Sequence, residues 1–509
     1  MLDSLGEVLP HAARRFGDRR ALVAGERSFS FAELDALSSA LAASLAKLGV
    51  RPGDRVTLYA PNSWEWLVSY YGTLKTGAVI NPVNVMLTPA EVAYVTGNCG
   101  AKALIGSPDK IEPVLEAGVA GLKTIVFGDR PIAGTTPFVE LIADRVPFDP
   151  VRVEPGTLST ICYTSGTTGH PKGAMQSHRA VLLNAAMTAQ LHLKSALDTV
   201  VTALPCPHVY GNVVFNGAFL YGLTLVLHSR FDAAQVLASI ETHRATMFEG
   251  VPTMYLYMLA HPELDRFDLS SLTRCTVGGQ TMPVAKMEEV ERRFGCPLIE
   301  LWGMTELAGL GTTFPSNGPT KLGSIGIALP YVEARIADAD DVNRTMPRGE
   351  VGELMIRGPI VMQGYYANDE ATRETIEPDG WLHTGDLASM DEDGAAFIVD
   401  RKKDMINTAG FKVFPAEIER VVAAHPAVAM VAVGRQPDEL KGEIAKAYVV
   451  LRPGAEADAD GILALCRAQL AAYKVPRSVQ FVVDLPKTST GKIMRRELTT
   501  LDVESAGVA

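Results

Sequence analysis

At 509 residues the chain is too long for one compact core, because a domain takes roughly 100 to 200 residues. Hydrophobic residues make up 47% and charged residues 21%, the balance of a globular protein and not of a disordered or fibrous one. The formal charge of -11 repels nucleic-acid phosphates and anionic membranes, which argues against a nucleic-acid partner. Cys99, Cys162, Cys206, Cys275, Cys296 and Cys466 form no CxxC pair. Neither a disulfide framework nor a zinc site is therefore expected, and a reducing cytoplasm fits.

The opening residues MLDSLGEVLPHAARRFGD carry early charges and no long apolar h-region, so no secretory signal is expected. Short apolar runs at Asp54–Ala60, Thr124–Phe127 and Leu223–Leu227 alternate with helix-like segments, a rhythm that predicts an α/β fold. Pro52–Gly53, Pro155–Gly156 and Pro378–Asp379–Gly380 read as turns. Leu158–Cys162 reads as an apolar run before a Gly/Thr-rich segment, with helix-like sequence from Ser177. Val213 to Leu227, interrupted by Asn216, falls short of the roughly 20 residues a membrane span needs and reads as buried core.

A new unit begins after the charged run Arg401–Lys402–Lys403–Asp404. Pro415 followed by Ala416, Glu417 and Ile418 predicts a helix start. Ala427–Val433, Ala445–Leu451 and Ser478–Val483 read as strands and Ile462–Ala472 as a helix. This is about 105 residues of α+β, enough for a separate domain.

The segment Tyr163–Thr164–Ser165–Gly166–Thr167–Thr168–Gly169–His170–Pro171–Lys172–Gly173 carries the most chemistry. Its glycines permit close backbone approach, its N–H groups and hydroxyls can ring a polyphosphate, and Lys172 adds a point charge. It is not the Walker form, because Pro171 precedes Lys172 and no GK[ST] follows. It resembles the phosphate loop of the adenylate-forming superfamily, whose signature is close to TSGTTGxPKG and matches Thr164 to Gly173 at every fixed position.

The resemblance continues in order. Leu301–Trp302–Gly303–Met304–Thr305–Glu306 is similar to the family's aromatic–Gly–x–Thr–Glu motif, which implies that Thr305 contacts the α-phosphate and Glu306 holds Mg2+. Gly380 to Asp386 resembles the motif whose Asp, here Asp386, accepts from both ribose hydroxyls. Arg401 is implied to reach the ribose or phosphate, and Lys403 stands at the family's hinge. Gly410–Phe411–Lys412 matches the loop that faces coenzyme A, although Ala409 replaces the Lys that precedes the Gly in plant coumarate ligases. Pro486 to Arg496 resembles the catalytic-lysine loop, with Lys492 implied to steady the carboxylate and α-phosphate.

The resemblance implies a large, multi-subdomain α/β domain over 1–400, a hinge over 401–404 and a small, mobile α+β lid over 405–509. It further implies an AMP-forming acid–CoA ligase that uses ATP, Mg2+ and coenzyme A. ATP-binding positions then add Gly279, Gln280, Trp302, Gly303 and Met304. His208 is the candidate histidine beside the acyl carboxylate. With it, Tyr210, Asn212, Phe248, Gln280, Gly303 and Leu307 line the acyl pocket, small glycines giving it depth.

Amino-acid-activating relatives place an Asp where this chain has Pro207, His208 and Val209, which disfavours an amino-acid substrate. No arginine lies among the pocket positions to pair with a second carboxylate. A monocarboxylic acid follows, medium- or long-chain fatty in the leading reading, with aryl or aryl-propenoic acids as the alternative. A fatty acyl-AMP ligase stays open. A silent nucleotide binder is disfavoured because Lys172, Glu306, Asp386, Arg401 and Lys492 are all present. The partners are small molecules, with no membrane span, and a homodimer stays open.

Overall fold

The computed structural model describes residues 2–119, 121–128, 132–164, 170–438, 440–452, 454–486 and 493–502, without the side chain of Arg496. The protein is α/β throughout and divides into two compact units. The first comprises Met1–Ala334, Ile356–His383 and Gly394–Ala396, and the second Arg335–Met355, Thr384–Asp393 and Phe397–Ala509. The elements that carry the candidate site are, in chain order, β1 (Leu158–Thr164), β2 (Lys172–Ser177), α1 (His178–Leu191), β3 (Thr199–Thr202), α2 (Val209–Tyr221), β4 (Met247–Gly250), β5 (Arg274–Gly278), β6 (Leu298–Met304), β7 (Gly309–Thr313), β8 (Leu382–Met390), β9 (Ala396–Arg401) and α3 (Pro415–Ala423).

Two large sheets build the first unit. The seven-stranded sheet runs in the order Thr136–Pro137, Lys123–Val126, Ala101–Gly106, Arg55–Tyr59, Val79–Pro82, β1, β2. All its neighbours pair in parallel except β1 and β2, which form an antiparallel hairpin with Thr164 opposite Lys172. The nine-stranded sheet runs Ile327–Ala328, β7, β6, β5, β4, β3, Thr224–Leu227, Arg20–Ala24, Arg27–Ser30. Its interior strands β3 to β6 are parallel and mostly buried, as strands covered on both faces are. They carry the buried charges Glu249, Arg274 and Glu300 among their apolar residues. In such sheets ligands gather beyond the carboxyl ends of the strands. Gly250, Gly278 and Met304 mark those ends here.

The apolar stretch 213–227 resolves into most of α2 and the strand Thr224–Leu227, joined through Gly222 in the left-handed conformation. Among the described residues no helix is long and apolar enough to cross a membrane. The second unit holds most of a four-stranded sheet, in the order Glu333–Ala337, Gly352–Arg357, β8, β9. It also holds a five-stranded sheet around the hairpin Val428–Asp438 and Gly442–Leu451. Helices α3 and Ala459–Gln469 cover that sheet with Ile418, Val422, Ile462 and Cys466.

Glu300, 5% exposed on β6, has its carboxyl pushed up to about 7 by burial, which outweighs a hydrogen bond from the Gly323 backbone. Its folded pKa lies above its ordinary value of 4.5, so its contribution to stability is complete at low pH and is lost as pH rises through 7. The unfolded chain ionises first. Across that window the change is about 3 kcal/mol. Glu300→Gln is therefore expected to gain Tm relative to wild type between about pH 5 and about pH 8. A pH-independent difference in thermal melts would contradict the raised pKa.

Candidate active site

The Gly/Thr-rich segment connects β1 to β2. Ser165, Gly166, Thr167, Thr168 and Gly169 fall outside the described residues, so their expected contacts are not part of this geometry. The hairpin's flanks are described: the Thr164 hydroxyl donates to the Lys172 carbonyl at 3.4 Å. From this frame the Lys172 ammonium sits 5.4 Å from the centre of the Tyr365 ring.

A neighbouring chain segment carries that ring. Gln363 N–H donates to the Met175 carbonyl at 2.8 Å, Met175 N–H to Gly364 at 2.9 Å, and Tyr366 N–H to Gly173 at 2.8 Å. Residues 363–366 thus run alongside β2. The same segment reaches the turn after β6, where Met362 N–H donates to the Glu306 carbonyl at 2.8 Å. There the Tyr365 hydroxyl donates to Glu306 Oε1 at 2.7 Å. Burial, followed by the Glu306 carboxylate, pushes the Tyr365 phenol far above its ordinary pKa, which keeps the donor proton in place.

Thr305, Glu306 and Leu307 form a single 3-10 turn that ends at Ala308, a non-glycine residue with φ of 54°. The turn is held from two sides. Gln176 Nε2 donates to the Thr305 carbonyl at 2.8 Å. Asn184, fully buried on α1, donates to the carbonyls of Leu307 at 3.0 Å and Leu310 at 2.8 Å and accepts from Leu310 N–H at 3.0 Å. Three interlocked bonds at 0% exposure fix where the Thr305 and Glu306 side chains project. Cys162, the nearby buried thiol on β1, is pushed up to about 12 by burial and by the Glu306 carboxylate, so it remains neutral.

Gly279, Gln280 and Gly303 are exposed, Met304 and Thr305 half-buried, and Trp302 buried, at the ends of β5 and β6. Gly303 has a reason besides the pocket depth expected of it. A Cβ there would overlap the Gly309 carbonyl and crowd Leu310, so glycine permits the close β6–β7 pairing. His208 caps α2, its Nδ1 accepting from Tyr210 N–H at 3.3 Å, which leaves the proton of the neutral ring on Nε2. The ring is exposed, while Tyr210, Asn212, Phe248 and Leu307 are buried. The Tyr210 hydroxyl pairs with Thr276 Oγ1 at 2.7 Å. Asn212 donates to the Tyr70 hydroxyl at 3.1 Å and accepts from Asn216 at 2.9 Å.

In the second unit Asp386, 4% exposed on β8, meets Arg401 Nε on β9 at 2.6 Å, so two residues expected at one ribose do stand together. Asp400 accepts from Arg401 N–H at 2.7 Å and from Ala416 N–H at 2.8 Å, which seats the start of α3 against the charged run. Lys403 is exposed in the 3-10 turn Lys402–Asp404. Arg495 binds Asp404 at 3.1 Å and Glu419 at 2.7 Å, clamping that turn to α3. Ala409 and Gly410, with φ of 50° and 85°, form the two-residue turn between Ile406–Thr408 and Phe411–Val413. Two positive φ angles are what a tight hairpin demands. That turn presents Phe411, which stacks on Tyr473 with ring centres 4.8 Å apart, and Lys412, which pairs with Asp340 at 3.1 Å. Lys492 lies outside the described residues.

Tyr365, Gln176, Asn184, Arg495 and Tyr473 escaped sequence reading. Each acts through a partner distant in sequence or through its backbone surroundings, and Arg495, though inside the segment that resembles the catalytic-lysine loop, is not one of its signature positions. Asn184→Leu would leave two carbonyls and an N–H unpaired in the core, at a cost of about 3 kcal/mol. Urea unfolding should show that loss together with slower adenylation. Unchanged stability would mean that the 305–307 turn holds itself.

An AMP-binding enzyme family model matches residues 9–366, and the AMP-binding enzyme C-terminal domain model matches residues 417–492. The chain is 32% identical over 539 aligned positions to a long-chain-fatty-acid–CoA ligase of Bacillus subtilis (strain 168), covering 99% of this chain and 95% of that protein. It is 36% identical over 496 positions to a feruloyl-CoA synthase of Amycolatopsis sp, covering 97% and 98%. Among solved structures, o-succinylbenzoate coenzyme A synthetase of Bacillus subtilis, in complex with ATP and magnesium ion, superposes with a TM-score of 0.84. Its identity is 30%, and the match covers 97% of this chain and 99% of that one.

Proposed function

The chain belongs to the AMP-binding enzymes of the adenylate-forming superfamily and is an AMP-forming acid–CoA ligase using ATP, Mg2+ and coenzyme A; we propose that its acid is a medium- or long-chain fatty acid. One observation carries the choice of acid. The polar groups at two of the expected acyl positions are already engaged within the protein, Tyr210 by Thr276 and Asn212 by Tyr70 and Asn216. A pocket that selects a phenolic hydroxyl needs a partner for it. Tyr210, Phe248 and Leu307 are buried and add hydrocarbon to the walls around these positions, which suits an alkyl chain.

In the first half-reaction the acid's carboxylate attacks the α-phosphorus of ATP and pyrophosphate leaves. Residues 164–169 and Lys172 receive the outer phosphates, Thr305 the α-phosphate, and Gly279, Gln280, Trp302, Gly303 and Met304 flank the nucleotide. Asp386 takes the ribose hydroxyls, with Arg401 beside it, and His208 stands beside the acid's carboxylate. Glu306 would hold Mg2+, which when bound neutralises phosphate charge. Its carboxylate fits that ion: Oε2 receives no hydrogen bond from a described residue, so one hard oxygen is available. No cluster of three or more His, Cys, Asp or Glu among the described residues could hold a metal alone, and Mg2+ commonly binds through one carboxylate plus substrate phosphates. Lys492 supplies fixed positive charge to the transition state.

In the second half-reaction the small domain, residues 405–509, turns at Lys403 within the 401–404 hinge and withdraws Lys492 from the 1–400 domain. The CoA thiol then attacks the acyl carbon, a C–S bond forms, the bond to phosphate oxygen breaks and AMP leaves. Gly410, Phe411 and Lys412 face the incoming CoA, and the exposed Phe411–Tyr473 stack adds an apolar platform beside them.

Pyrophosphate release with dodecanoate and hexadecanoate should exceed that with ferulate and benzoate by at least about ten-fold in kcat/KM. A larger value for ferulate overturns the fatty-acid assignment in favour of an aryl-propenoic acid. Lys492→Ala should slow adenylation by at least about 10² while CoA still accepts acyl groups from preformed acyl-AMP. Equal losses in the two halves would remove the role given to Lys492.

A further inference from the structure

Lys172 and Glu306 carry opposite charges on adjoining elements of the same unit, and both are assigned to the phosphate end of ATP. A direct ion pair between them would satisfy each at the expense of the nucleotide, because the ammonium would lose its phosphate and the carboxylate its cation. No ion pair joins them among the described residues. Tyr365 instead touches both. Its hydroxyl donates to Glu306 Oε1 at 2.7 Å, and its ring lies 5.4 Å from the Lys172 ammonium. One side chain thereby offers a proton to the anion and a negative π face to the cation.

We propose that Tyr365 is a positioning residue that keeps the Lys172 ammonium and the Glu306 carboxylate from neutralising each other, holding both ready for metal-bound ATP. The inference rests on Glu306 as the Mg2+ ligand. Three features of the geometry support it. Tyr365 is 7% exposed and Glu306 also 7%, so the hydrogen bond is shielded from water. The backbone of residues 362–366 is bonded both to β2, which starts at Lys172, and to Glu306 itself, so the ring is placed relative to both charges at once. Glu306 Oε1 is the oxygen engaged by the phenol, which leaves Oε2 to face a cation.

The test is calorimetric titration of ATP, with EDTA and with increasing Mg2+, into wild type, Tyr365→Phe, Tyr365→Leu, Glu306→Gln and the Tyr365→Leu/Glu306→Gln double variant. Thermal melts confirm that each is folded. Tyr365→Phe keeps the ring and loses the hydroxyl. It should need about ten-fold more Mg2+ to reach tight ATP binding, with metal-free ATP binding unchanged. Tyr365→Leu loses the separator, so metal-free ATP binding should also weaken about ten-fold. The double variant should recover that loss, because Lys172 then has no carboxylate to fall upon. A merely structural tyrosine would lower Tm in both variants and leave the Mg2+ dependence at the wild-type value, which overturns the proposal alone. Retained Mg2+ dependence in Glu306→Gln overturns the metal assignment and the proposal with it.

Discussion

A short backbone ladder governs the first unit's candidate site: residues 362–366 lie along β2 and bond at one end to Glu306. It joins three pieces of chain that come from different parts of the sequence, the phosphate-loop hairpin, the turn after β6 and the Gly364–Tyr365–Tyr366 stretch. Because the ladder is made of main-chain bonds, it fixes where side chains start whatever their identity. Tyr365 then converts that placement into electrostatics by addressing one anion and one cation. Asn184 and Gln176 complete the frame by immobilising the carbonyls of the 305–310 turn. The residues expected to meet the nucleotide therefore depend on neighbours that never need to touch it.

The second unit uses charge differently. Asp386 and Arg401 pair across adjacent strands, and Arg495 gathers Asp404 and Glu419. Burial pushes the Asp400 carboxyl up, but two backbone N–H groups and the Arg495 guanidinium pull against that shift. A run that reads in sequence as solvated basic residues, 401–403, is thus flanked on both sides by anchored carboxylates. Lys403 itself remains exposed between them.

Much of the architecture was legible because periodicity and turn chemistry act locally. The strand expected at Asp54–Ala60 is observed at Arg55–Tyr59, and the helix expected from Pro415 begins there. The helix expected at Ile462–Ala472 is displaced to Ala459–Gln469 because Asp458 caps it, accepting from Gly461 N–H. β2 was not visible: Lys-Gly-Ala-Met-Gln-Ser has little strand character of its own and is a strand because β1 and residues 363–366 flank it. Lys172, Thr305 and Glu306 could be singled out because the segments that hold them resemble family motifs. Tyr365 could not, since its bond to Glu306 spans 59 residues, and neither could Asn184, whose bond to the Leu310 carbonyl spans 126. Gly303 was read as creating room; the β6–β7 approach, invisible in sequence, also requires glycine there.

All six cysteines are buried, and burial raises the thiols of Cys162 and Cys206. Nucleophilic sulfur chemistry needs an accessible thiolate, so the folded enzyme offers none that competes with the incoming cosubstrate. A colorimetric disulfide reagent added to a turnover mixture would thus report the disappearance of free coenzyme A with almost no background from the protein. The same reagent would begin to count protein sulfur only once the chain had opened, which makes one measurement serve as both an assay and a denaturation alarm.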